Sequence, residues 1–321
     1  MVLNNYGYFL VLARSSSITQ AAEELNVSHQ GLSLYLKNLE RELGAPLFER
    51  APKLTLTEAG QAVLKMFSDV EFQERNLRNH IDNILKKERG EFRFGLPEGR
   101  FRILMPELLP NFKCRCPDVT LRTRCAPSDV LHDLLLKNEL DAALFDQRAA
   151  DPDAMDLTPM LEERLFLTVS DALLDSLFGD TARARRLLRS GADLAQFAAS
   201  PFVLNEPGST SRTAIDSFCA SRGVALNCVM ELPQLDLHFM LSARGYAASF
   251  CWSMYLALVA KLNRQEKNWH LNAFAVKGLD ARNRLMWAVR KRRVMPSCGR
   301  VLRDLLREAC ARFADINLNR L

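Results

Sequence analysis

Whole classes of chemistry are missing from this 321-residue chain. No stretch of about 18 apolar residues occurs, so no transmembrane helix is expected and a membrane is not among the partners. The N-terminal MVLNNYGYFLVLARSSS has no basic leading segment, and its apolar residues fall on a helical period rather than in a signal core. The expected compartment is therefore the cytoplasm. G-x-S-x-G, G-x-x-x-x-G-K-[ST], G-x-G-x-x-G and H-E-x-x-H are all absent. Ser209, Asp236 and His238 could be imagined as a triad, but Asp236 and His238 lie in an apolar helical stretch with Leu235, Leu237, Phe239 and Met240. His238 there reads as a satisfied, partly buried side chain. No catalytic residue is assigned and an enzyme is not expected.

Metal-ligand spacing is missing too. The five histidines (29, 80, 132, 238, 270) are scattered, and Cys114-Arg115-Cys116 is C-x-C with no histidine nearby. No metal and no cofactor are expected. The eight cysteines read as buried structural thiols in a reducing compartment.

Positive charge is scarce where it would be most useful. The chain is net +5, yet residues 1–60 carry five basic groups against six acidic ones and are net −1. The excess lies elsewhere, most visibly at Arg290-Lys291-Arg292-Arg293, which reads as a solvated strand end. Net charge gives no argument for nucleic-acid binding. Patterning does.

Residues 17–60 read SITQAAEELNVSHQGLSLYLKNLERELGAPLFERAPKLTLTEAG. Tyr6, Phe9, Leu10 and Ala13 follow an i, i+3, i+4, i+7 spacing, which predicts a helix over 4–14. Ser17 and Gln20 form an S-x-x-Q capping box that starts a second helix burying Ile18, Ala22 and Leu25. Ala21 and Ala22 leave room for a third helix to approach. Asn26-Val27 makes the turn, and Ser28 suits the N-cap of a helix over 28–42 that buries Leu32, Leu36, Leu39 and Leu43. Its opposite face carries Gln30, Ser33, Leu34, Lys37 and Arg41, with His29 at the N-terminal end. A recognition helix puts its N-terminal residues at base edges in the major groove. Gln pairs with adenine, Ser bonds either base type and Leu meets a thymine methyl. Lys37, Arg50 and Lys53 suit phosphates, which position without specifying. An ordinary three-helix bundle with a polar outer face would show the same helix pattern.

Phe9, Ser17-Ile18-Thr19, Ala21-Ala22, Leu25, Val27-Ser28, Leu32-Ser33, Leu36, Leu39-Glu40, Leu43-Gly44, Leu47-Phe48, Arg50 and Leu56-Thr57-Glu58-Ala59-Gly60 together resemble the LysR-type transcriptional regulators. The resemblance implies a bacterial protein that binds double-stranded DNA through a winged helix-turn-helix. The DNA-contacting set it suggests is Thr19, Gln20, Ser28, His29, Gln30, Ser33, Leu34, Lys37, Arg50 and Lys53. RNA polymerase is a further partner it allows. His29, Gln30 and Leu34 depart from the family's common residues, and the wing Ala51-Pro52-Lys53-Leu54-Thr55 is about one residue short. These departures touch the operator sequence, not the fold.

Between Gly60 and Gly90 there is no proline or glycine. Val63, Val70, Leu77 and Ile84 recur every seven residues, Phe67 and Ile81 fill alternate positions, and Glu74 breaks that row once. A 4-3 spacing of this kind predicts a coiled-coil seam. The resemblance implies that two subunits pair there, giving a dimer or tetramer on an inverted repeat. A helix lying on its own domain is the alternative. Lys86-Lys87-Glu88-Arg89-Gly90 reads as a hinge.

From residue 91 the periodicity changes. Strands are expected at 92–96, 118–123 and 141–145, with helices over 101–113 and 128–137, an alternation that implies a parallel sheet. Residues 157–169 cross to a second lobe with strands at 201–205, 226–231 and 246–251 and helices over 208–222 and 234–243; residues 267–276 cross back, and strand 284–290 and helix 297–314 complete the first lobe. Leu108-Leu109-Pro110-Asn111-Phe112, Cys116-Pro117-Asp118-Val119 and Leu140-Asp141-Ala142-Ala143-Leu144 again resemble the LysR regulatory domain.

Ligands of open α/β sheets sit beyond the carboxyl ends of the strands. The expected effector-binding residues are therefore Pro97, Glu98, Gly99, Arg100, Ser128, Asp146, Asn205, Gly208, Ser209, Thr210 and Cys251. Gly208-Ser209-Thr210 precedes a helix and can hold a carboxylate on backbone N–H groups. Arg100 could add a charge-assisted bond, which suggests a small organic acid. Glu98 would repel an anion unless it pairs with Arg100, and so leaves a ligand bearing an amine or hydroxyl as the alternative. Cys219 and Cys228 are nine apart, like the cysteines of a peroxide-sensing branch of the family. In register, however, Thr210 stands where that branch has its reactive cysteine, so this redox chemistry is not expected.

The expected fold is α/β overall: a winged helix-turn-helix (1–58), a linker and dimerisation helix with hinge (59–90), and a two-lobed sensor like the periplasmic binding proteins (91–316). Lobe I takes 91–163 and 268–316, and lobe II takes 164–267. Two other readings stay open. One is a ligand-independent DNA binder whose C-terminal half serves only oligomerisation; the other is a solute-binding module with an N-terminal protein-interaction arm.

Overall fold

The computed structural model describes residues 5–49, 53–85, 89–265 and 268–313. They divide into two bodies: residues up to 85 together with 293–296, and residues 89–292 with 297–313.

In the first body, α1 (Tyr6–Arg14) buries Phe9, Val11 and Leu12. Ser17 Oγ accepts from Gln20 N at 3.2 Å and starts α2 (Ile18–Leu25). Asn26 ends it in the left-handed region at φ 53°, which asparagine tolerates better than most residues. Ser28 Oγ accepts from Gly31 N at 3.1 Å and starts α3 (His29–Leu43), which Gly44 closes at φ 70°. Leu32, Leu36 and Leu39 are buried, but Leu43 is 39% exposed, against expectation. The chain turns away at Gly44, and Leu47 and Phe48 close the core in its place. A short wing pairs β1 (Phe48–Glu49) with β2 (Thr55–Leu56) antiparallel. Arg50 lies outside the described residues.

Thr57 Oγ1 accepts from Gly60 N at 3.0 Å and begins α4 (Glu58–Ile84), 27 residues long. A Cβ at Gly60 would lie 2.1 Å from the Leu47 carbonyl oxygen, so the start of α4 meets the wing only with glycine there. Residues 293–296 lie along this helix: Asn76 Oδ1 accepts from Val294 N at 2.9 Å, and the Asn79 and Asn83 amides donate to the Val294 and Met295 carbonyls. Arg293 is 8% exposed, with its guanidinium 6.0 Å from the Phe72 ring, so the end of the basic run is not solvated as expected.

The second body opens with β3 (Arg89–Leu96), α5 (Glu98–Arg115), β4 (Asp118–Cys125), α6 (Ser128–Leu136) and β5 (Ala142–Asp146). β3 is parallel to both β4 and β5. The long β6 (Met155–Ser170) crosses into the second lobe. There follow α7 (Asp171–Phe178), α8 (Thr181–Leu188), β7 (Pro201–Leu204), α9 (Thr210–Arg222), β8 (Asn227–Glu231), α10 (Leu235–Ala243), β9 (Ser249–Trp252) and α11 (Leu256–Gln265). β10 (Leu271–Ala275) and β11 (Arg282–Arg290) lead back, and α12 (Ser297–Ala311) packs on α5.

The main sheet runs β10-β6-β11-β5-β3-β4, with β9 also on β6. It is mixed rather than parallel: β11 is antiparallel to both β5 and β6, and β9 and β10 are antiparallel to β6. A chain that leaves one lobe on β6 and returns on β11 must lay those strands in opposite directions. Helices α7, α8 and α11 were not expected from the sequence. Their apolar positions close lobe II, whose core joins Leu173, Leu174, Ala184, Leu188, Leu256 and Val259 to Phe202 and Phe250.

Candidate DNA-reading helix, apolar linker face and effector cleft

The open face of α3 carries His29, Gln30, Leu34 and Lys37, all exposed, with Ser33 half-buried. Leu34 is 58% exposed, although an apolar side chain gains nothing from water there. Ser28 spends its hydroxyl on the cap. Thr19 and Gln20 are exposed at the start of α2, but Gln20 Oε1 accepts from Ser16 N at 3.0 Å and from Ser16 Oγ at 2.8 Å. Only the amide N–H groups of Gln20 remain for another partner. Lys53 is exposed on the wing.

On α4 the predicted seam splits. Leu77, Ile81 and Ile84 are 60%, 45% and 67% exposed, and half-buried Val70 shares a shallow apolar groove with Ala62, Met66 and Leu77. Phe67 faces elsewhere. It is fully buried, with its ring 5.4 Å from that of Phe9 and 6.1 Å from that of Tyr6. Val63 packs on the same core. Phe67 therefore serves its own domain. At ~100° per residue it lies about 80° round the helix from Leu77, which a seven-residue count overlooks. Met66, exposed, joins the open face and was missed.

A cleft of about 750 Å³ lies between the lobes of the second body. Pro97, Glu98, Gly99, Arg100, Ser128, Asp146, Asn205, Gly208, Ser209 and Thr210 all line it. Cys251 does not. It is 1% exposed, and burial pushes its thiol well above the usual range; Trp252, one residue on, faces the cleft instead. Adjacent strand residues point to opposite faces, so a one-residue error in a strand end exchanges them. Arg102, Asp129, Arg148, Glu206, Asp236 and Tyr255 also line the cleft; of these, no local signal in the sequence marked Arg102, Asp129, Arg148 or Tyr255.

Arg100 is 3% exposed and committed to the protein. Its Nη1 and Nη2 donate to Glu163 at 2.8 and 2.5 Å, and its guanidinium lies 4.6 Å over the Tyr255 ring. Burial disfavours its charge, but Glu163, Tyr255 and Asp146 outweigh that and hold the cation well above its ordinary pKa. Arg100 is thus no free partner for a ligand carboxylate, contrary to expectation. Glu163 is fully buried and also accepts from Met254 N at 3.1 Å. Asp146 accepts from Asn283 Nδ2 at 2.7 Å and, across the lobes, from Thr210 Oγ1 at 3.2 Å. Glu98 pairs with Arg102, not Arg100, and Arg102 reaches on to Asp236 at 2.5 Å. Two polar links thus join the lobes at the cleft.

Ser209 Oγ accepts from Arg212 N at 3.3 Å and caps α9, whose first turn opens on the cleft. Cys219 and Cys228 are free; Cys219 is buried and Cys228 exposed. Cys114 and Cys125 are exposed as well, so three of the eight thiols depart from the expected burial. Among the described residues no cluster of histidine, cysteine or carboxylate groups is placed to hold a metal, and no helix is long and apolar enough to cross a membrane.

Comparison with known proteins agrees with this architecture. The family model for the bacterial regulatory helix-turn-helix protein, lysR family, matches residues 3–61, and that for the LysR substrate binding domain matches 86–311. The chain belongs to the LysR family. It is 29% identical to the HTH-type transcriptional regulator CfxR of Cupriavidus necator over 67% of this chain and 64% of that one. It is 25% identical to the HTH-type transcriptional activator CmpR of a Synechocystis strain over 72% of each. With YtlI of Bacillus subtilis it shares 29% identity over 45% of this chain, which spans about half (47%) of that relative. Among solved structures, a full-length cysteine-to-aspartate variant of OxyR from Pseudomonas aeruginosa superposes with a TM-score of 0.68 at 18% identity, covering 95% of this chain and 96% of that one. Full-length CbnR in complex with its target DNA gives 0.58 at 18%, covering 95% and 98%. At such identities these two establish the fold: a helix-turn-helix domain followed by a mixed α/β substrate-binding domain.

Proposed function

We propose that this chain is a DNA-binding transcription factor that reads an inverted-repeat promoter site with α3 and responds to a small molecule in the interlobe cleft. The observation that carries the reading is the exposed face of α3, where Gln30, Ser33 and Leu34 stand free beside Lys37 on a capped helix of helix-turn-helix register. CbnR, of the same fold, has been solved with its target DNA, which supports the reading. Thr19, the Gln20 amide, His29 and Lys53 flank that face, and Ser28 supports it as a cap. Dimers form along Met66, Val70, Leu77, Ile81 and Ile84 of α4, and pairs of dimers give tetramers. RNA polymerase is the partner through which promoter binding acts, and the cytoplasm is the compartment this role requires.

Selection of fragments from random duplex DNA, with wild type beside a Gln30→Ala, Ser33→Ala variant, tests the reading. Enrichment of an inverted repeat that the variant loses is the expected result. No enrichment at low salt from a folded, self-associated protein would overturn it. For the cleft, the expectation of an organic acid leaned on Arg100, and that support lapses once Glu163 holds both terminal nitrogens.

A further inference from the structure

The floor of the cleft holds more negative charge than it cancels. Arg100 is one cation. Glu163 takes both of its terminal nitrogens, and Asp146 stands 3.9 Å away on the cleft side. Two carboxylates against one guanidinium leave a net −1, with Glu163 fully buried and the Asp146 side chain only 17% exposed. Asn283 and Thr210 give Asp146 neutral hydrogen bonds, which soften the charge without removing it. An uncompensated charge withdrawn from water is costly until a counter-charge arrives. Farther out, Asp129 and Glu206 line the cleft with no ion pair among the described residues, and Arg102 is taken up by Glu98 and Asp236. Arg148 is the remaining cation of the lining; it is exposed, on the turn after β5.

A second, independent observation lies at the same wall. Tyr255 is 6% exposed and lines the cleft, and its hydroxyl makes no hydrogen bond among the described residues. Gly99 lies against it: a Cβ there would come within 2.5 Å of the hydroxyl oxygen. The hydroxyl oxygen itself is not sealed off: it opens on the cleft, where a bound molecule can reach it.

We propose that the effector of this cleft is an organic cation, a small molecule bearing a primary ammonium or guanidinium group, with Asp146 as its counter-ion and the Tyr255 hydroxyl as a second acceptor. The proposal rests on the reading of the cleft as the effector site. It gives the ligand a means of being felt by both lobes, because Asp146 of lobe I is already bonded to Thr210 of lobe II. An ammonium group at Asp146 neutralises the floor and strengthens the polar contact between lobes.

The test is titration calorimetry and thermal shift on the full chain with two pairs of probes, benzylamine against benzoate and agmatine against succinate. Wild type is expected to bind the amines and not the carboxylates. Asp146→Asn keeps the side-chain volume and an acceptor for Thr210, and should weaken amine binding roughly tenfold or more. If circular dichroism shows that variant unfolded, Tyr255→Phe replaces it, with an expected loss of about fivefold. Tighter binding of either carboxylate than of its amine counterpart would overturn the proposal. So would amine affinity unchanged in the folded variant, or no binding of any probe at millimolar concentration. DNA selection run beside it separates the failures. Operator binding with no amine response sinks the cation alone, whereas loss of DNA binding sinks the regulator reading and leaves the titration to score the cleft.

Discussion

His238 is 1% exposed in α10, and its Nε2 lies 2.8 Å from the Leu232 carbonyl. A carbonyl only accepts, so Nε2 carries the proton and Nδ1, buried with no partner among the described residues, is a bare acceptor. Burial lowers the pKa of this imidazole, against smaller raising effects from the Leu232 carbonyl and Asp236. His270 is also lowered, by burial first and then by Arg185. A histidine depressed in the fold is neutral where the unfolded chain is already taking up protons. Stability is therefore present above the ordinary value of about 6.5 and is lost as pH falls below it toward the depressed folded value. Urea midpoints of the second body should drop on acidification through that window, and His238→Gln should flatten part of the slope while His270 keeps the rest. Tryptophan fluorescence reads this body alone, because Trp252, Trp269 and Trp287 are the chain's only tryptophans. An identical slope in the variant would exclude His238 as a contributor. By the same measurement Glu163→Gln should cost about 3 kcal/mol, toward the low end for breaking a buried ion pair, because Asp146 stays within reach of Arg100. A cost under about 1 kcal/mol would mean that the Arg100–Glu163 pair contributes little to the body's stability.

At the scale of single elements, α4 separates what a heptad count can and cannot say. Its existence, its length and its apolar repeat were legible, because an unbroken run without proline or glycine leaves little else to form. Which side chains face outward was not, because the first turns of α4 pack on α1, and a neighbour's surface is invisible to periodicity. Phe67 and Leu77 make the distinction measurable. Leu77→Asp puts a charge on the open apolar face and should weaken self-association at least tenfold in sedimentation velocity, with helix content unchanged. Phe67→Ala removes a fully buried ring that touches Phe9 and should cost about 3–5 kcal/mol in the first body, while the folded fraction keeps its oligomeric state. If Phe67→Ala dissociates folded protein and Leu77→Asp does not, the open face is not where subunits meet. The helices α2 and α3 were easier to read, because Ser17, Ser28 and Gly44 are local signals whose partners lie within a few residues. Arg100 was misread because its partner, Glu163, lies 63 positions along the chain and meets it only through the crossover strand.

For the whole molecule, the alternation of strands and helices betrayed a two-lobed α/β domain. The antiparallel return of β11 and the Arg102–Asp236 ion pair across the cleft depend on contacts that no local pattern encodes. The charge of the first sixty residues, net −1, carries a consequence for how the molecule holds DNA. On the proposed reading a single copy has only Lys37, Arg50 and Lys53 to give to phosphates amid six carboxylates, too few for tight binding alone. Two copies on one inverted repeat offer about six such contacts, and the logarithm of the binding constant should then fall with the logarithm of salt at a slope near −5. Lys37→Ala removes two contacts per dimer and should bring the slope to about −3.5, weakening selected and random sequences alike. Gln30→Ala should leave the slope untouched and cost about 1–3 kcal/mol on the selected site only. Fluorescence anisotropy across a salt series reads both quantities at once. If both variants lowered the slope equally, α3 would be holding phosphates with its whole face, and Gln30, Ser33 and Leu34 on it would carry no sequence preference.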